Sequence, residues 1–358
     1  MKNANSKTLL LVGPDLKGLG GISQVSRIWR DGGIFQEHDV TFIPSTTDAD
    51  INRFFYFVRN WSRFISLVAM GATCVWIHTS ASRSLYRKSL FILATALFRK
   101  KIVLHIHPSH FHDFLTSLRG FSRRYVFYVL RHVGIFVVLT NAMCEKIKAL
   151  FPGKRVFILP NPVGVASLIG PRVFHRAANR LLYLGWYIPE KGIYELVDAV
   201  EILVQSGMDL ELDFYGTKQI DRLKAYVKCK ELQSRVRVNG WINLEKKIEA
   251  LRTSTMLVLP SHSEGIPNVV LEAMATETPI LATSVGGVKE ILRDGENALI
   301  VEINNPIDLS EKIRQMLQDK GLRIRLSENA YRDAVEKYDV EIIKKEFRQI
   351  IASVNNED

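Results

Sequence analysis

The chain has 358 residues, of which 47% are hydrophobic and 24% are charged, and its formal net charge is +11. That length exceeds what one hydrophobic core of ordinary size needs and fits two α/β domains, while the composition excludes a fibrous or disordered chain. The three cysteines, Cys74, Cys144 and Cys229, are odd in number and far apart. Their spacing argues against a disulfide framework or a cysteine metal site and favours a reducing, cytoplasmic compartment.

The positive charge is concentrated in the first half of the chain. Residues 1–150 contain 20 Lys and Arg against 8 Asp and Glu, or +12, whereas residues 151–358 contain 28 against 29, or −1. Between residues 51 and 131 there are 13 basic residues and a single acid, Asp113. Such a field attracts polyanions, and lipid phosphates, nucleic acids and diphosphate-linked molecules would all satisfy it.

The first half is predicted to alternate strands and helices. Its first apolar run ends at Gly13-Pro14 and is too short for a signal peptide, and the longer apolar segments are too short or too interrupted by charge to span a bilayer. Segments long enough for helices separate the apolar runs, so the pattern predicts a parallel sheet with helices on both faces. The predicted strands are 9–12, 40–43, 74–77, 102–106, 134–139 and 155–159.

Residues 52–65 carry aromatic and basic side chains at helical spacing. Phe54, Phe57, Val58, Trp61 and Ile65 fall near one face of the predicted helix, with three arginines beside them. This pattern suits an amphipathic helix on anionic lipid and equally suits a helix that packs on the core with its arginine stems along the surface. The three arginines are Arg53, Arg59 and Arg63.

A break in periodicity runs through 161–164 and continues to Gly170-Pro171, where an interdomain linker is predicted. Strands and helices then alternate again, which predicts a second doubly wound domain. The predicted domains are 1–168 and 169–338, with a last helix, 339–358, crossing back to the first. The predicted strands of the second domain are 181–184, 212–215, 236–238, 256–259, 280–282 and 298–301, and its helices begin near 192, 220, 244, 268, 288, 306 and 322.

The strongest chemical signal is the segment 260–275, PSHSEGIPNVVLEAMA. A buried strand ends at Leu259 and a helix begins near Asn268, so Glu264 lies at the carboxyl end of a strand and Glu272 in the first turns of the next helix. In an open α/β sheet that edge is where ligands bind, and the helix start offers N–H donors to phosphate or sugar oxygens. Each carboxylate can accept hydrogen bonds from two vicinal hydroxyls.

This segment resembles the E-x7-E signature of retaining glycosyltransferases of family 4. Three later blocks also follow that family's order: 278–283, then 286–288 with Glu290, then 294–298. The resemblance implies the GT-B architecture, with two Rossmann-like, doubly wound parallel-sheet domains facing across a cleft. It further implies transfer of a sugar with retention of configuration, from a nucleotide-diphosphate donor held by the second domain.

The resemblance also implies roles for individual residues. Glu272 would bind the ribose hydroxyls and Glu264 the hydroxyls of the donor sugar, while Ser261 shapes the loop. The nucleotide base is expected near Gly240-Trp241 and Leu244. The backbone expected to contact the sugar and phosphates belongs to Gly265, Ile266, Pro267 and Asn268.

Lys191, in the block 184–192, lies where the family places a lysine on the donor diphosphate. An ammonium at a helix start can neutralise a departing diphosphate, which is a physical case independent of the resemblance. The family usually has Gly-Arg where this chain has Gly185-Trp186. Either another basic residue replaces that arginine, or diphosphate binding rests on Lys191 and backbone amides.

Two sites are predicted in the first domain. The resemblance implies that Gly20 and Gly21, after the first strand, approach the donor phosphates from the other domain. It also implies that a cleft histidine contacts the sugar or the acceptor; His107, just beyond a strand, is the match and His78 a weaker candidate. No metal site is predicted, because neither a cysteine nor a carboxylate other than Asp113 accompanies the histidines between 105 and 112. The D-x-D of Asp48-Ala49-Asp50 is interpreted as a polar loop.

The resemblance therefore implies a hexosyltransferase whose donor is a UDP- or GDP-sugar, and we expect it to need neither a metal nor a cofactor. The expected acceptor is a glycan or a polyprenyl-diphosphate-linked glycan of surface-polysaccharide assembly. The basic first domain favours a peripheral enzyme on the inner face of the cell membrane, with no nucleic-acid partner. Three alternatives stay open: a catalytically impaired relative that only binds sugar nucleotides or polyanions, another Rossmann enzyme such as a sugar-nucleotide epimerase or a nicotinamide oxidoreductase, and a nucleic-acid-binding protein.

Overall fold

The structure, a computed structural model, describes residues 8–36, 38–49, 51–168 and 179–355. The chain packs into two compact units, one formed by Met1–Pro162 with Val340–Asp358 and the other by Val163–Asp339. The first unit thus ends at Pro162, where the predicted boundary was 168, and it includes the last helix. The Gly170-Pro171 part of the predicted linker lies outside the described residues.

Each unit contains one parallel six-stranded sheet. The strands are β1 (Thr8–Gly13), β2 (Asp39–Pro44), β3 (Cys74–Thr79), β4 (Lys101–Ile106), β5 (Ile135–Val138), β6 (Arg155–Ile158), β7 (Arg180–Trp186), β8 (Glu211–Thr217), β9 (Val236–Asn239), β10 (Met256–Leu259), β11 (Ile280–Thr283) and β12 (Leu299–Val301). The first sheet has the order β2-β1-β3-β4-β5-β6 and the second has the order β12-β11-β10-β7-β8-β9. The α/β fold with two Rossmann-like parallel sheets, which the sequence predicts, is confirmed.

Helices connect successive strands, as parallel pairing requires. A 3₁₀ turn, Pro189–Lys191, precedes the helix that begins at Ile193, and a π-helical turn, Ala334–Tyr338, follows the helix that ends at Asp333. The helices are α1 (Gly21–Asp31), α2 (Arg53–Ala69), α3 (Arg83–Leu97), α4 (Phe111–Ser117), α5 (Gly120–Leu130), α6 (Asn141–Leu150), α7 (Val165–Leu168), α8 (Ile193–Gln205), α9 (Ile220–Cys229), α10 (Leu244–Thr253), α11 (Asn268–Ala275), α12 (Val288–Ile291), α13 (Pro306–Gln318), α14 (Lys320–Asp333) and α15 (Val340–Asn355). Among the described residues, no helix is both long and apolar enough to cross a membrane.

The last helix, α15, completes the core of the first unit. Its Phe347 is fully buried and packs against Trp76, with 5.1 Å between ring centroids, and against Trp29, at 5.4 Å. Burying a phenylalanine of this kind stabilises a fold by about 1.5–3 kcal/mol. At the end of the helix, Lys101 and Arg155 donate hydrogen bonds to the carbonyl oxygens of Val354 and Ser353. The first sheet therefore depends on a segment from the far end of the chain.

Helix α2 packs on the first unit in its middle and is exposed at its start, and its predicted contact with lipid stays a prediction. Trp61 lies in the core layer, because its ring meets Phe91 at 5.0 Å and Phe64, which is fully buried, at 5.7 Å. Phe54 and Phe55, at the start of the helix, are 70% and 68% exposed. The middle of the helix thus packs on the unit while its first turn presents aromatic rings to solvent.

In each sheet the strand order reverses between two neighbouring strands. The reversal lies between β1 and β3 in the first sheet and between β7 and β10 in the second. Loops that leave such strands diverge, so a crevice forms at their carboxyl ends, and ligands of open α/β sheets bind there. The second sheet has the strand order of dinucleotide-binding domains, since β7 to β12 correspond to strands 1 to 6 of the order 3-2-1-4-5-6.

Candidate functional site

Two loops meet at the point of reversal in the second sheet, one after β7 and one after β10. Gly192, the residue before α8, has φ +66° and approaches the second loop so closely that a Cβ would clash with the carbonyl oxygen of Pro260. The backbone N–H of His262 donates to the carbonyl oxygen of Glu190 over 3.0 Å, and the His262 ring lies 3.0 Å from Glu195. Glycine is the residue that this conformation and this approach allow. The two loops are therefore fixed to each other.

Lys191 and Glu264 form an ion pair between these loops. The Lys191 ammonium donates to Oε1 of Glu264 over 2.5 Å, and the side chains are 21% and 12% exposed, respectively. The hydroxyl of Ser261 donates to the same carboxylate oxygen over 2.7 Å. Both partners of the pair keep some contact with solvent, so a cation and a carboxylate are presented side by side at this edge.

Tyr183, within β7, makes a hydrogen bond to the backbone at this edge of the sheet. Its ring is fully buried and its hydroxyl donates to the carbonyl oxygen of Trp186 over 2.9 Å. Burial, and secondarily the negative charge of Glu264, raises the pKa of Tyr183 well above its ordinary value. The phenol therefore stays protonated and keeps its hydrogen bond.

Glu272 lies on α11 with its side chain only 5% exposed, and it is paired with Lys247 of α10. This lysine is 14% exposed and was missed by the sequence analysis. A nearly buried carboxylate needs a cation or several hydrogen bonds to offset its lost hydration, and Lys247 supplies the cation. Glu272, the residue predicted to bind the ribose hydroxyls, is thus in an ion pair with a lysine of a different helix.

The segment between the two glutamates forms the start of α11. Ile266, Pro267 and Asn268 are buried, whereas Gly265 is partly exposed. The backbone N–H groups of a helix start and its positive dipole end favour an anion or a sugar oxygen. The predicted base contacts, Trp241 and Leu244, follow β9 and are both exposed. Glu264, Lys191 and the start of α11 therefore lie on the loops of the two central strands, while Trp241 and Leu244 lie at the end of the outer strand of the same sheet.

In the first unit, Gly20 is the last residue of the loop between β1 and α1, and Gly21 is the first residue of α1. Asp48 accepts a hydrogen bond from the backbone N–H of Leu19 over 3.1 Å, and Arg27 donates to the carbonyl oxygen of Gly18 over 2.9 Å. Asp48 of the D-x-D sequence thus holds the glycine loop, as a polar loop residue does, while Asp50 lies outside the described residues. The predicted contact of the two glycines with donor phosphates stays a prediction.

His107 belongs to a group of three buried histidines at the ends of β3 and β4. Nδ1 of His78 and Nε2 of His107 share a hydrogen bond of 2.7 Å, and the rings of His105 and His107 are 4.3 Å apart. Burial lowers the pKa of His107 to about 3 and lowers the pKa values of His78 and His105 well below their ordinary value. All three rings are therefore neutral at physiological pH.

One ring nitrogen from each of these histidines lies within 4.8 Å of the other two. Neutral imidazoles are the form that binds transition metals, so this group has the donor type of a metal site. The hydrogen bond between His78 and His107 already accounts for the closeness of two of the nitrogens. The predicted absence of a metal stays a prediction.

Comparison with known proteins supports a class for this fold and site. Residues 173–333, which include both glutamates and both of their lysines, match the family model of glycosyl transferases group 1. An uncharacterized glycosyltransferase of Methanocaldococcus jannaschii is 31% identical over 240 residues, which are 65% of this chain and 64% of the relative. The lipopolysaccharide core biosynthesis glycosyltransferase LpsE of Rhizobium meliloti is 27% identical over 230 residues, 62% of this chain and 65% of the relative. The matched parts thus span just under two thirds of these relatives.

Among solved structures, the chain resembles Anabaena HepE, crystallised in complex with UDP-glucose. The TM-score is 0.74 at 16% sequence identity, over 97% of this chain and 99% of that one. The fold is therefore GT-B. Together with the family match and the two relatives, it supports a glycosyltransferase family for this chain.

Proposed function

We propose that this protein is a retaining, metal-independent glycosyltransferase of family 4 that takes a sugar from a nucleoside-diphosphate donor, with UDP or GDP as the nucleotide. The observation that carries the proposal is the pairing of Lys191 with Glu264 at the reversal point of a sheet with dinucleotide-binding strand order. That edge offers a cation for a diphosphate and a carboxylate for sugar hydroxyls. The match of residues 173–333 to glycosyl transferases group 1 supports the same assignment.

In the proposed reaction, the acceptor hydroxyl attacks the anomeric carbon from the face that the diphosphate leaves. The new glycosidic C–O bond forms as the bond between the anomeric carbon and the phosphate oxygen breaks, and the proton of the acceptor passes to the leaving phosphate. The protein supplies position and charge stabilisation rather than a nucleophile. Lys191 and the N–H groups at the start of α11 would stabilise the diphosphate, Glu264 would orient the sugar and Glu272 the ribose.

The proposed acceptor is a glycan or a polyprenyl-diphosphate-linked glycan in surface-polysaccharide synthesis. Two observations support it: the net charge of +12 over residues 1–150, and the similarity to a lipopolysaccharide core glycosyltransferase. A basic surface attracts diphosphate-linked lipids and the anionic inner face of a cell membrane, where the enzyme would work.

A screen of purified protein against UDP-, GDP-, ADP- and dTDP-sugars tests the donor assignment. Thermal stabilisation and slow hydrolysis are measured for each donor with and without EDTA. We expect one nucleotide to raise the melting temperature and to keep that effect in EDTA. Loss of the effect in EDTA would contradict metal independence. Turnover-free stabilisation by one donor would favour the catalytically impaired alternative, which the tryptophan in place of the family's arginine motivates. Silence from all donors would overturn the proposed function and leave only a relative that binds other polyanions.

A further inference from the structure

A lysine follows the strand next to β7 in an unusual backbone conformation. Lys218 comes directly after β8, and its φ of +79° lies in the left-handed region, which favours glycine. The register pairs Trp186 of β7 with Thr217 of β8. Lys218 therefore lies at the same carboxyl-end edge of the sheet as the loop that carries Lys191.

The side chain of Lys218 is placed over an aromatic ring. Its ammonium lies 5.2 Å from the centroid of the Trp186 ring, which is the geometry of a cation–π contact. The backbone of Trp186 is fixed by the buried Tyr183 hydroxyl and by the hydrogen bond from the Tyr187 N–H to the carbonyl oxygen of Thr217, at 2.8 Å. The tryptophan thus gives the lysine a defined position at the sheet edge.

The charge of Lys218 is not used in an ion pair within the described part of the chain. Lys191 and Lys247, by contrast, each hold a glutamate. An exposed cation–π contact is weaker than charge-assisted hydrogen bonds to a phosphate, so an arriving anion can draw Lys218 away from the ring. The edge therefore carries one cation that needs no carboxylate to be displaced before it binds an anion.

We propose that Lys218, which Trp186 positions before the donor arrives, is the second cation that binds the donor diphosphate, beside Lys191. Trp186 itself stands where the family resemblance implies an arginine, and Lys218 returns a positive charge to that position from the neighbouring strand. This inference rests on the proposed function, since it assigns a residue to the same donor site. Trp186 is in this view a positioning residue, and Lys218 a residue that touches the substrate.

The test compares nucleoside diphosphates with nucleoside monophosphates. Binding of UDP, GDP, ADP and dTDP, and of the corresponding monophosphates, is measured by calorimetry for the wild type and for Lys218→Gly. Glycine suits the left-handed backbone, so this variant removes the cation without adding strain. We expect the preferred diphosphate to bind about tenfold more weakly and its monophosphate to change by less than about twofold.

Three further variants make the result specific. Lys218→Arg keeps the charge and should bind the diphosphate within about threefold of the wild type. Trp186→Arg in the Lys218→Gly background should restore most of the lost affinity, because it provides a cation from β7. Lys224→Gln removes an exposed lysine on α9 and should leave binding unchanged.

The outcomes separate this inference from the proposed function. If the wild type binds a diphosphate and Lys218→Gly binds it equally well, Lys218 does not contact the diphosphate and the inference is wrong, while the proposed function stands. Equal weakening of diphosphate and monophosphate would also overturn it, because the effect would not come from the diphosphate. If the wild type binds none of the nucleotides, the proposed function itself fails.

Discussion

At the residue scale, the two glutamates of the E-x7-E segment differ in how much they depend on their lysines. Glu272 is 5% exposed and Glu264 is 12% exposed. A carboxylate that loses its partner in a buried position must either take up a proton or remain poorly solvated. Lys247 is therefore expected to matter for stability, and Lys191, whose partner is nearer to solvent, to matter more for chemistry.

Replacing Lys247 tests whether its ion pair with Glu272 stabilises the fold. Lys247→Met removes an ammonium that is paired with the nearly buried Glu272 carboxylate, so we expect the free energy of unfolding to fall by about 2–4 kcal/mol. Urea unfolding at pH 7.5 measures it. The control is Lys246→Met, on the exposed face of the same helix, for which we expect a change within about 0.5 kcal/mol. Equal losses in the two variants would contradict a stabilising role for the pair.

Replacing Lys191 and Glu264 tests whether these two side chains are needed for the proposed sugar transfer. We expect Lys191→Ala to lower kcat about 100-fold or more, because the leaving diphosphate loses a cation, and Glu264→Gln to lower it at least about tenfold. Turnover is measured with the donor that the screen identifies, and circular dichroism checks that both variants fold. Rates like the wild type in both variants would overturn the site assignment.

The sequence indicates Glu264, Glu272 and Lys191 as candidate site residues because each lies shortly after a strand end or near a helix start. It misses Lys247 and Lys218 for a physical reason. Lys247 meets Glu272 only because α10 packs beside α11, and Lys218 meets Trp186 only because β8 pairs with β7 in one register. Contacts of this kind depend on how helices and strands pack against each other, and local sequence patterns do not report that packing.

At the element scale, the strands were predictable because parallel strands are buried on both faces and read as continuous apolar runs. The bounds of β10 and α11 agree with those predicted from the sequence, Met256–Leu259 and Asn268–Ala275. Strand β7 extends beyond its predicted range to Arg180 and Trp186, which are polar or exposed ends that hydrophobicity does not mark. The periodicity that predicts a helix from near residue 322 does not distinguish the π-helical turn at Ala334–Tyr338 from the α-helix before it.

Because of the three buried histidines at the ends of β3 and β4, we expect the free energy of unfolding to fall in acid. Their pKa values are lowered in the native state, so in the unfolded state, where the ordinary value is about 6.5, they bind protons that the native state does not. Stability is therefore fully present above pH 6.5 and falls as the pH decreases below it, until the native pKa values are reached. Each histidine contributes up to about 1.4 kcal/mol per pH unit in that window.

Urea unfolding at pH 7.5, 6.5 and 5.5 measures this dependence. We expect the free energy of unfolding to fall by several kcal/mol, with the steeper part between pH 6.5 and 5.5. His107→Gln should flatten the slope by roughly a third, since it removes one of three such groups. His110→Gln, on the exposed part of the same loop, is the control and should keep the slope of the wild type. A flat profile in the wild type would show that the three rings take up protons in the native state.

At the scale of the whole molecule, the chain leaves the first unit after Pro162 and returns to it after Asp339, and the two ends of the second unit are hydrogen-bonded to each other. The N–H of Val163 donates to the carbonyl oxygen of Tyr338 over 2.8 Å, and a carboxylate oxygen of Asp339 accepts from the N–H of Val165 over 3.1 Å. These bonds tie the beginning of the second unit to its end. The first unit then receives α15, whose Phe347 fills its core.

The unequal charge of the two halves predicts that the protein binds an anionic membrane through its first half. The first 150 residues carry +12, and the exposed Phe54 and Phe55 lie beside Arg53 and Arg59 at the start of α2. Aromatic rings next to arginines suit the boundary between headgroups and acyl chains of anionic lipid. We expect the protein to float with vesicles of phosphatidylglycerol and phosphatidylcholine and to be released as the salt concentration rises, because salt screens the attraction.

Two variants distinguish lipid binding through the aromatic rings of α2 from binding through the positive charge of the protein alone. Phe54→Ser with Phe55→Ser should reduce flotation severalfold without a change in net charge, since the rings supply the apolar contact. Ile307→Ser, an equally exposed apolar residue of the second unit, should leave it unchanged. Flotation of the double variant like that of the wild type would assign binding to charge alone. Equal flotation of the wild type with neutral phosphatidylcholine vesicles would contradict electrostatic attraction, and with it the reason for placing the protein at an anionic membrane face.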